Sequence, residues 1–303
     1  MKKAFTLIEL VIAITITAIL ASIGTEIIST VYQNYIQTRS ITKLEAQTEL
    51  AITQISKRLQ YRIKQTLVGY ENGDYKDMIG CKDDCGIAWY MQSYESRRLG
   101  EANKIGWSGV INKATIAGDK INLSLGYNDD DNVQNLDKAK EIIKSITSSK
   151  EEVSETNPVA LIFKQSEDKA KENYYDGNTP KKVYKAYFSD NNIIIKIDKK
   201  NKNKDDKLED LYYLSHTINR IYIDKSGDLI LETNFLPWDE TKKISRKIAQ
   251  NVTTLRFTNF ANENDIANSN GLILKICIKD PNLKVGKKDN DPHLEVCKVK
   301  AII

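Results

Sequence analysis

The sequence predicts an α+β fold: a long N-terminal helical spine packed on a mostly antiparallel β-sheet domain. Three observations carry this. A mostly apolar run from Phe5 to Gly24 is followed, from Glu26 to about Gln65, by a stretch without Gly or Pro. Apolar residues recur there at Ile27, Val31, Tyr35, Ile41, Leu44, Ala51, Ile55, Leu59 and Ile63, mostly three or four apart, as on one face of a helix. Beyond it come short β-rich segments separated by turn residues, and a helix followed by a run of strands argues for α+β.

The first element is the apolar run. At 1.5 Å per residue its 20 or so positions span roughly 30 Å, the thickness of a bilayer's hydrocarbon core. Lys2 and Lys3 precede it and hold the N-terminus on the cytoplasmic side. An ordinary signal peptide has a shorter apolar region ending in a small-residue cleavage site. Here the small residue, Ala4, comes before the apolar run, so cleavage there leaves the membrane segment on the mature chain. Within the run stands one carboxylate, Glu9, which costs about 2.5–3.5 kcal/mol on insertion scales and marks a functional position. Cutting after Ala4 would give Phe5 a free ammonium one helical turn from Glu9, and in a staggered bundle of such helices the amine of one could meet the carboxylate of the next.

The stretch Lys3-Ala4-Phe5-Thr6-Leu7-Ile8-Glu9 resembles the class III signal of type IV prepilins and type II secretion pseudopilins. The resemblance implies cleavage by a prepilin peptidase between Ala4 and Phe5, N-methylation of Phe5, and a role for Glu9 in filament assembly. Ala4 departs from the usual Gly and is the accepted minority residue. It further implies a leader over 1–4, a transmembrane segment over 5–25, a periplasmic half of the spine over 26–65 and a globular domain over 66–303. Implied partners are the peptidase, other pilin or pseudopilin subunits, the inner-membrane assembly platform and membrane lipid, with the globular domain periplasmic or in an extracellular filament. Many pilins break the helix with a proline near the membrane exit; the first proline here is Pro158, and Gly24 is the obvious weak point.

Past a Gly-bearing loop (Gly69, Gly73, Gly80), strands are expected at Ile87–Met91 and at Lys120–Leu125 after a Gly118-Asp119 turn. A helix is expected over Gln134–Ser148 with Leu136, Ala139 or Lys140, and Ile143 on one side. Further strands are Val159–Lys164, a hairpin of Val183–Ser189 with Ile193–Asp198, a clearer hairpin of Ile218–Asp224 with Asp228–Thr233 about Ser226-Gly227, then Val252–Asn259, Leu272–Lys279 and His293–Ile302. The region 126–182, rich in Asn, Asp, Lys and Glu, reads as an insertion.

Composition adds bounds. Of 303 residues 41% are apolar, and 45 basic against 41 acidic residues leave a net charge of +4, which specifies no partner. Four cysteines fall in two local pairs, Cys81/Cys85 and Cys277/Cys297. The oxidising compartment implied by the resemblance favours disulfides. The turn near Gly286-Lys287 would bring Cys277 and Cys297 to comparable heights on adjacent strands, although crossed pairing stays open. Zinc is a poorer reading, because Cys-x3-Cys with a distant second pair fits its spacing badly; the Cys-x-x-Cys of a redox motif is absent. Asn128-Asp129-Asp130-Asp131-Asn132 offers oxygen ligands for calcium but lacks the Gly and Glu of an EF-hand loop, so a solvated turn is the default. No cofactor is expected.

Catalysis finds little to build with. His216 and His293 are the two histidines, and neither lies in a nucleophile or phosphate-binding motif. Nucleic acid is a possible ligand without positive support: Lys199–Lys207, Lys181-Lys182 and Lys287-Lys288 could meet phosphates, but acidic residues interrupt two of these stretches. The function expected is therefore structural, a minor pilin or pseudopilin that primes or caps a filament. Its size, Glu9 and late strands resemble J-type minor pseudopilins and W-type minor pilins, whereas K-type tip subunits typically lack the Glu. A DNA-binding competence pilin and a pilus-tip adhesin are the rivals.

Overall fold

Helix α1 (Leu7–Gln60) runs for 54 residues without interruption, close to 80 Å at the α-helical rise. The computed structural model to which it belongs describes residues 6–78, 81, 85–98, 105–124, 135–147, 151–165, 169–178, 180–189, 192–196, 209–259, 271–286 and 290–303. The helix has two different halves. As far as Arg39 its side chains are exposed on every side, Ile16, Ile28 and Tyr35 included. From Ser40 onward a stripe of Leu44, Thr48, Ala51, Ile52, Ile55 and Leu59 is buried at helical spacing.

The helix ends five residues before the expected Gln65 because the neighbouring sheet captures the chain. Arg62 bridges to Met91, the Gln92 N–H donates to the Tyr61 carbonyl, and the Ile63 N–H donates to the Tyr90 carbonyl. A single 3₁₀ turn over Lys64–Thr66 follows.

The next strands, β1 (Val68–Glu71) and β2 (Asp74–Lys76), form a hairpin where a loop was expected. Its turn is Asn72-Gly73, with φ of 53° and 92°. A two-residue turn with both central residues at positive φ favours this dipeptide, since Asn tolerates the left-handed region and Gly enters it freely. The remaining elements in chain order are β3 (Gly86–Gln92), α2 (Tyr94–Arg98), β4 (Lys113–Ala117), β5 (Lys120–Ser124), α3 (Leu136–Ile146), β6 (Val159–Phe163), α4 (Ala170–Tyr174), β7 (Tyr184–Ser189), β8 (Asn192–Lys196), β9 (Tyr212–Ile223), β10 (Leu229–Phe235), β11 (Ile244–Ala249), β12 (Val252–Asn259), β13 (Leu272–Lys284) and β14 (His293–Ile302).

Among the described residues the strands make two antiparallel sheets. The larger has the order β2-β1-β3-β9-β6-β7-β8-β5-β4, with β10 and β11 branching from β9. Strand β9 makes the branch possible by its length. One of its edges pairs with β3, while the other pairs with β6 through Tyr212–Ser215 and with β10 through Ile218–Ile223. It therefore starts six residues before the expected Ile218, in a stretch (Tyr212–Thr217) with half-buried positions only at Tyr213 and His216, so no alternation signals a strand. The segment 126–182 contributes α3, α4 and β6, and β6 pairs with β9 and β7 inside this sheet.

The smaller sheet, β12-β13-β14, holds the spine. Leu272, Leu274, Ile276 and Ile278 of β13 and Ile302 of β14 join Leu44, Ala51, Ile52, Ile55 and Leu59 of α1 in one buried cluster. On the large sheet, Leu136, Ala139 and Ile143 of α3 pack with Trp107, Leu161, Phe188, Ile195 and Leu214 in another, which matches the apolar side expected of that helix.

Candidate functional site

The start of α1 is built around Thr6 and Glu9. Thr6 has extended backbone angles and is the N-cap. Its N–H and hydroxyl donate to Glu9 Oε2 at 3.1 and 2.9 Å, and the Glu9 N–H reaches Thr6 Oγ1 at 3.4 Å. This reciprocal capping box satisfies amides that have no carbonyl partner at a helix N-terminus. Its sequence signal, Thr-x-x-Glu ahead of an apolar run, is Thr6 and Glu9. The structure thus places the Glu9 carboxylate on the amide directly following Phe5. Ala4 and Phe5 lie outside the described residues.

From this cap the helix presents a segment long and apolar enough to cross a membrane, with none of that window buried by the rest of the chain. A run of exposed Leu, Ile and Val is stable only in lipid or against other apolar helices, since each large side chain left in water forgoes about 1.5–3 kcal/mol of burial.

The opposite end of the spine is fixed to the small sheet by polar contacts that flank the apolar stripe. Lys298 pairs with Glu49 at 2.7 Å, Lys300 Nζ donates to Thr53 Oγ1 at 3.4 Å, and the Ser40 hydroxyl donates to Asp280. The Ser40 hydroxyl, then the Asn282 N–H, hold the Asp280 carboxyl below its ordinary range. The Lys298 ammonium likewise lowers Glu49. These contacts fix the rotation of the spine and thereby the direction in which its free half presents Glu9.

Both cysteine pairs form disulfides. Cys277 and Cys297 face each other directly across β13 and β14, with Cα atoms 4.0 Å apart, on the side of the sheet away from α1. Joined to each other, these sulfurs present no thiolate to a metal, although Glu295 lies beside them. Cys81 and Cys85 are 5.6 Å apart at Cα and press on β1: a Cβ added at Gly69 would overlap Cys81 Sγ and stand 3.1 Å from Cys85 Sγ. Gly69, expected in a loop, is therefore a strand residue over which this disulfide sits.

His216 lies half-buried on β9, with Nδ1 3.0 Å from Ser93 Oγ. Burial first, and the Arg58 guanidinium second, lower its pKa to about 4. Ser93 is itself fully buried, and its hydroxyl also accepts from Ser96. A serine sealed from solvent cannot reach a substrate, so this Ser–His contact is part of the packing. His293 begins β14, opposite Lys284. Asp129–Asp131, the loop 199–207 and Lys287-Lys288 lie outside the described residues; Lys181 and Lys182 form a turn ahead of β7.

Residues 1–25 match the family model of the prokaryotic N-terminal methylation motif. That match, on a helix with an exposed apolar half and a head of antiparallel strands, supports a membrane-anchored protein of pilin or pseudopilin type. The motif implies processing by a prepilin peptidase and assembly with other pilin subunits. Such proteins are generally structural rather than enzymatic. No curated protein and no solved structure matches the chain.

Proposed function

We propose that the chain is a minor pilin or minor pseudopilin, a single-pass inner-membrane subunit that primes or caps a periplasmic filament on the inner-membrane assembly platform. The observation that carries this is the asymmetry of α1. Its second half is consumed by the small sheet, while its first half, with Glu9 at its start, has no partner among the described residues. Roughly 240 residues of head on one spine are a large load for a subunit repeated thousands of times and suit one used in few copies. Among minor subunits, size, retained Glu9 and the late strands are most like the J-type pseudopilins and W-type pilins. Cleavage between Ala4 and Phe5 would free an amine one residue from the amide that Glu9 already holds. In an assembled bundle the carboxylate could then serve a neighbouring subunit's amine.

Two measurements test this. Mass spectrometry of the mature protein should find a methylated Phe5 at its N-terminus; an N-terminus at Met1, or near Ala21 as for ordinary signal peptidase, removes the proposal. Glu9→Leu should insert into the membrane at least as well as the parent, because a carboxylate is removed from the apolar segment. It should nevertheless fail to support filament priming. Normal priming by Glu9→Leu refutes the assembly role.

A further inference from the structure

We propose that Cys277, Cys297 and Glu295, on the outer face of the small sheet, bind a thiophilic divalent metal ion of the zinc type whenever their disulfide is open. The three share that face because side chains two apart on a strand point the same way. Glu295 and Cys297 are so placed on β14, and Cys277 faces Cys297 across the ladder. Their donor atoms, two sulfurs and one carboxylate oxygen, lie within 4.8 Å of one another. Among the described residues no other set of three His, Cys, Asp or Glu side chains converges in this way, and the Cys81–Cys85 pair over Gly69 belongs to none.

Opening the disulfide leaves these donors in place. β13 and β14 remain paired from Leu272 with Ile302 to Lys279 with Glu295. The two cysteine Cα atoms are 4.0 Å apart, nearer the roughly 4.5 Å of the non-hydrogen-bonded antiparallel pair, in which side chains approach most. A tetrahedral zinc ion with Zn–S bonds of about 2.3 Å needs sulfurs about 3.8 Å apart, which opposed thiols reach by side-chain rotation alone. The Thr253 hydroxyl donates to Glu295 from β12, the kind of outer contact that orients a metal ligand. Lys275 and Lys279 flank Cys277 on the same face, and neighbouring ammonium groups favour the thiolate that a metal requires. Cys277 is buried, whereas Cys297 and Glu295 are exposed, so an ion enters from solvent against a wall already formed.

Only a dithiol reductant and the metal are needed. A thiolate of the dithiol attacks the exposed Cys297 sulfur and Cys277 leaves as thiolate. The second thiol of the reductant then releases Cys297 as it closes its own disulfide, so two electrons pass to the cysteines. The metal binds both sulfurs, displacing their remaining protons, together with the Glu295 carboxylate. Two soft sulfurs select a zinc-like ion over calcium or magnesium, which prefer oxygen sets. Three protein donors leave a fourth position to water, as in exchangeable rather than closed structural sites. The metal thus bridges the two strands that clasp the spine in the redox state in which the disulfide does not. This goes beyond the structural-subunit reading and does not depend on it, since processing and priming are measured separately from metal binding.

The test uses the full chain in detergent micelles, reduced with dithiothreitol and freed of it by anaerobic gel filtration, with Co²⁺ as the probe. The reduced parent should take up a single Co²⁺ with a thiolate-to-cobalt charge-transfer band that Zn²⁺ abolishes, and the oxidised parent should show no band. Cys297→Ser, with Cys81 and Cys85 intact, should lose the band. Glu295→Gln keeps both thiols at an exposed position and should weaken Co²⁺ binding at least about tenfold. Zn²⁺ should also raise the melting temperature of the reduced parent and leave the oxidised chain unchanged, since a ligand stabilises the state that binds it. A reduced parent without the band overturns the proposal, as does a band that survives Cys297→Ser, which would assign the metal to Cys81 and Cys85. Parental affinity in Glu295→Gln overturns the three-donor site.

Discussion

Arg220 and Glu232 form a buried ion pair in the middle of the large sheet, and neutralising one partner should be among the costliest single changes in the head. The two side chains are 6% and 7% exposed. Arg220 Nε donates to Glu232 Oε2 at 2.6 Å, and Nη1 donates to the Tyr75 hydroxyl at 3.0 Å. The guanidinium lies 4.5 Å from the Tyr70 ring centroid and 5.0 Å from that of Phe235. The other carboxylate oxygen accepts from the Tyr222 hydroxyl at 3.3 Å and pairs with Lys243 at 3.4 Å. Glu232→Gln keeps the shape and removes the charge, leaving a desolvated guanidinium whose remaining contacts are a phenol and ring faces. Breaking one side of a buried pair costs about 3–5 kcal/mol. At 2–4 °C per kcal/mol for a domain of this size, Tm should fall by about 6–20 °C. Arg220→Met/Glu232→Leu removes both charges and should recover most of that loss, because an apolar replacement of a whole pair is often neutral. Thermal unfolding of the full chain in micelles, followed by near-ultraviolet circular dichroism, measures all three proteins. A fall below about 2 °C for Glu232→Gln, or a double variant no better than the single, refutes the reasoning that desolvation dominates here.

Three further outcomes are expected. His216 has a folded pKa near 4 against an ordinary 6.5, so the unfolded chain binds the extra proton between these values. Its contribution, at most ~3 kcal/mol, is complete above pH 6.5 and is lost as pH falls toward 4; His216→Gln should flatten the stability profile in that window, and an unchanged profile contradicts the assignment. Gly69→Ala should destabilise by about 1–3 kcal/mol through overpacking against the Cys81–Cys85 sulfurs; the loss should shrink in a Cys81→Ser/Cys85→Ser background, which paired melting curves would reveal. Peptide mapping without reductant should recover Cys81 joined to Cys85 and Cys277 joined to Cys297, and a crossed pair would contradict the β13–β14 register.

Much of the architecture was legible where side-chain pattern and burial agree. The spine announced itself through its spacing, α3 through Leu136, Ala139 and Ile143, and the β9–β10 turn through Ser226-Gly227. What escaped had physical reasons. Strand β4 is exposed at all five positions, so no alternation marks it. The hairpin at Asn72-Gly73 has strands of four and three residues, too short for a two-residue period to show. β6 reads plainly as an apolar run, but its place between β9 and β7 depends on pairings across tens of residues. At the candidate site, the motif from Ala4 to Glu9 was readable because it is local. The Thr6 cap is equally local, three residues from Glu9. The ring of groups around Arg220 is assembled from four strands, and no spacing in the chain brings those residues together.

The clasp on the spine also sets an order of events during synthesis. The contact from Glu49 to Lys298 joins residues 249 positions apart, and the strands that cover Leu44, Ile52, Ile55 and Leu59 are made long after the helix. At 5–20 residues per second, roughly 12–50 s separate the translation of the helix from that of its cover. Throughout that interval the stripe is bare, with its first half already committed to lipid. Truncation within β14 would make this transient state permanent. The apolar face would then be offered to any strand or helix nearby, and the chain would be marked for aggregation or proteolysis at the membrane surface before any filament could admit it.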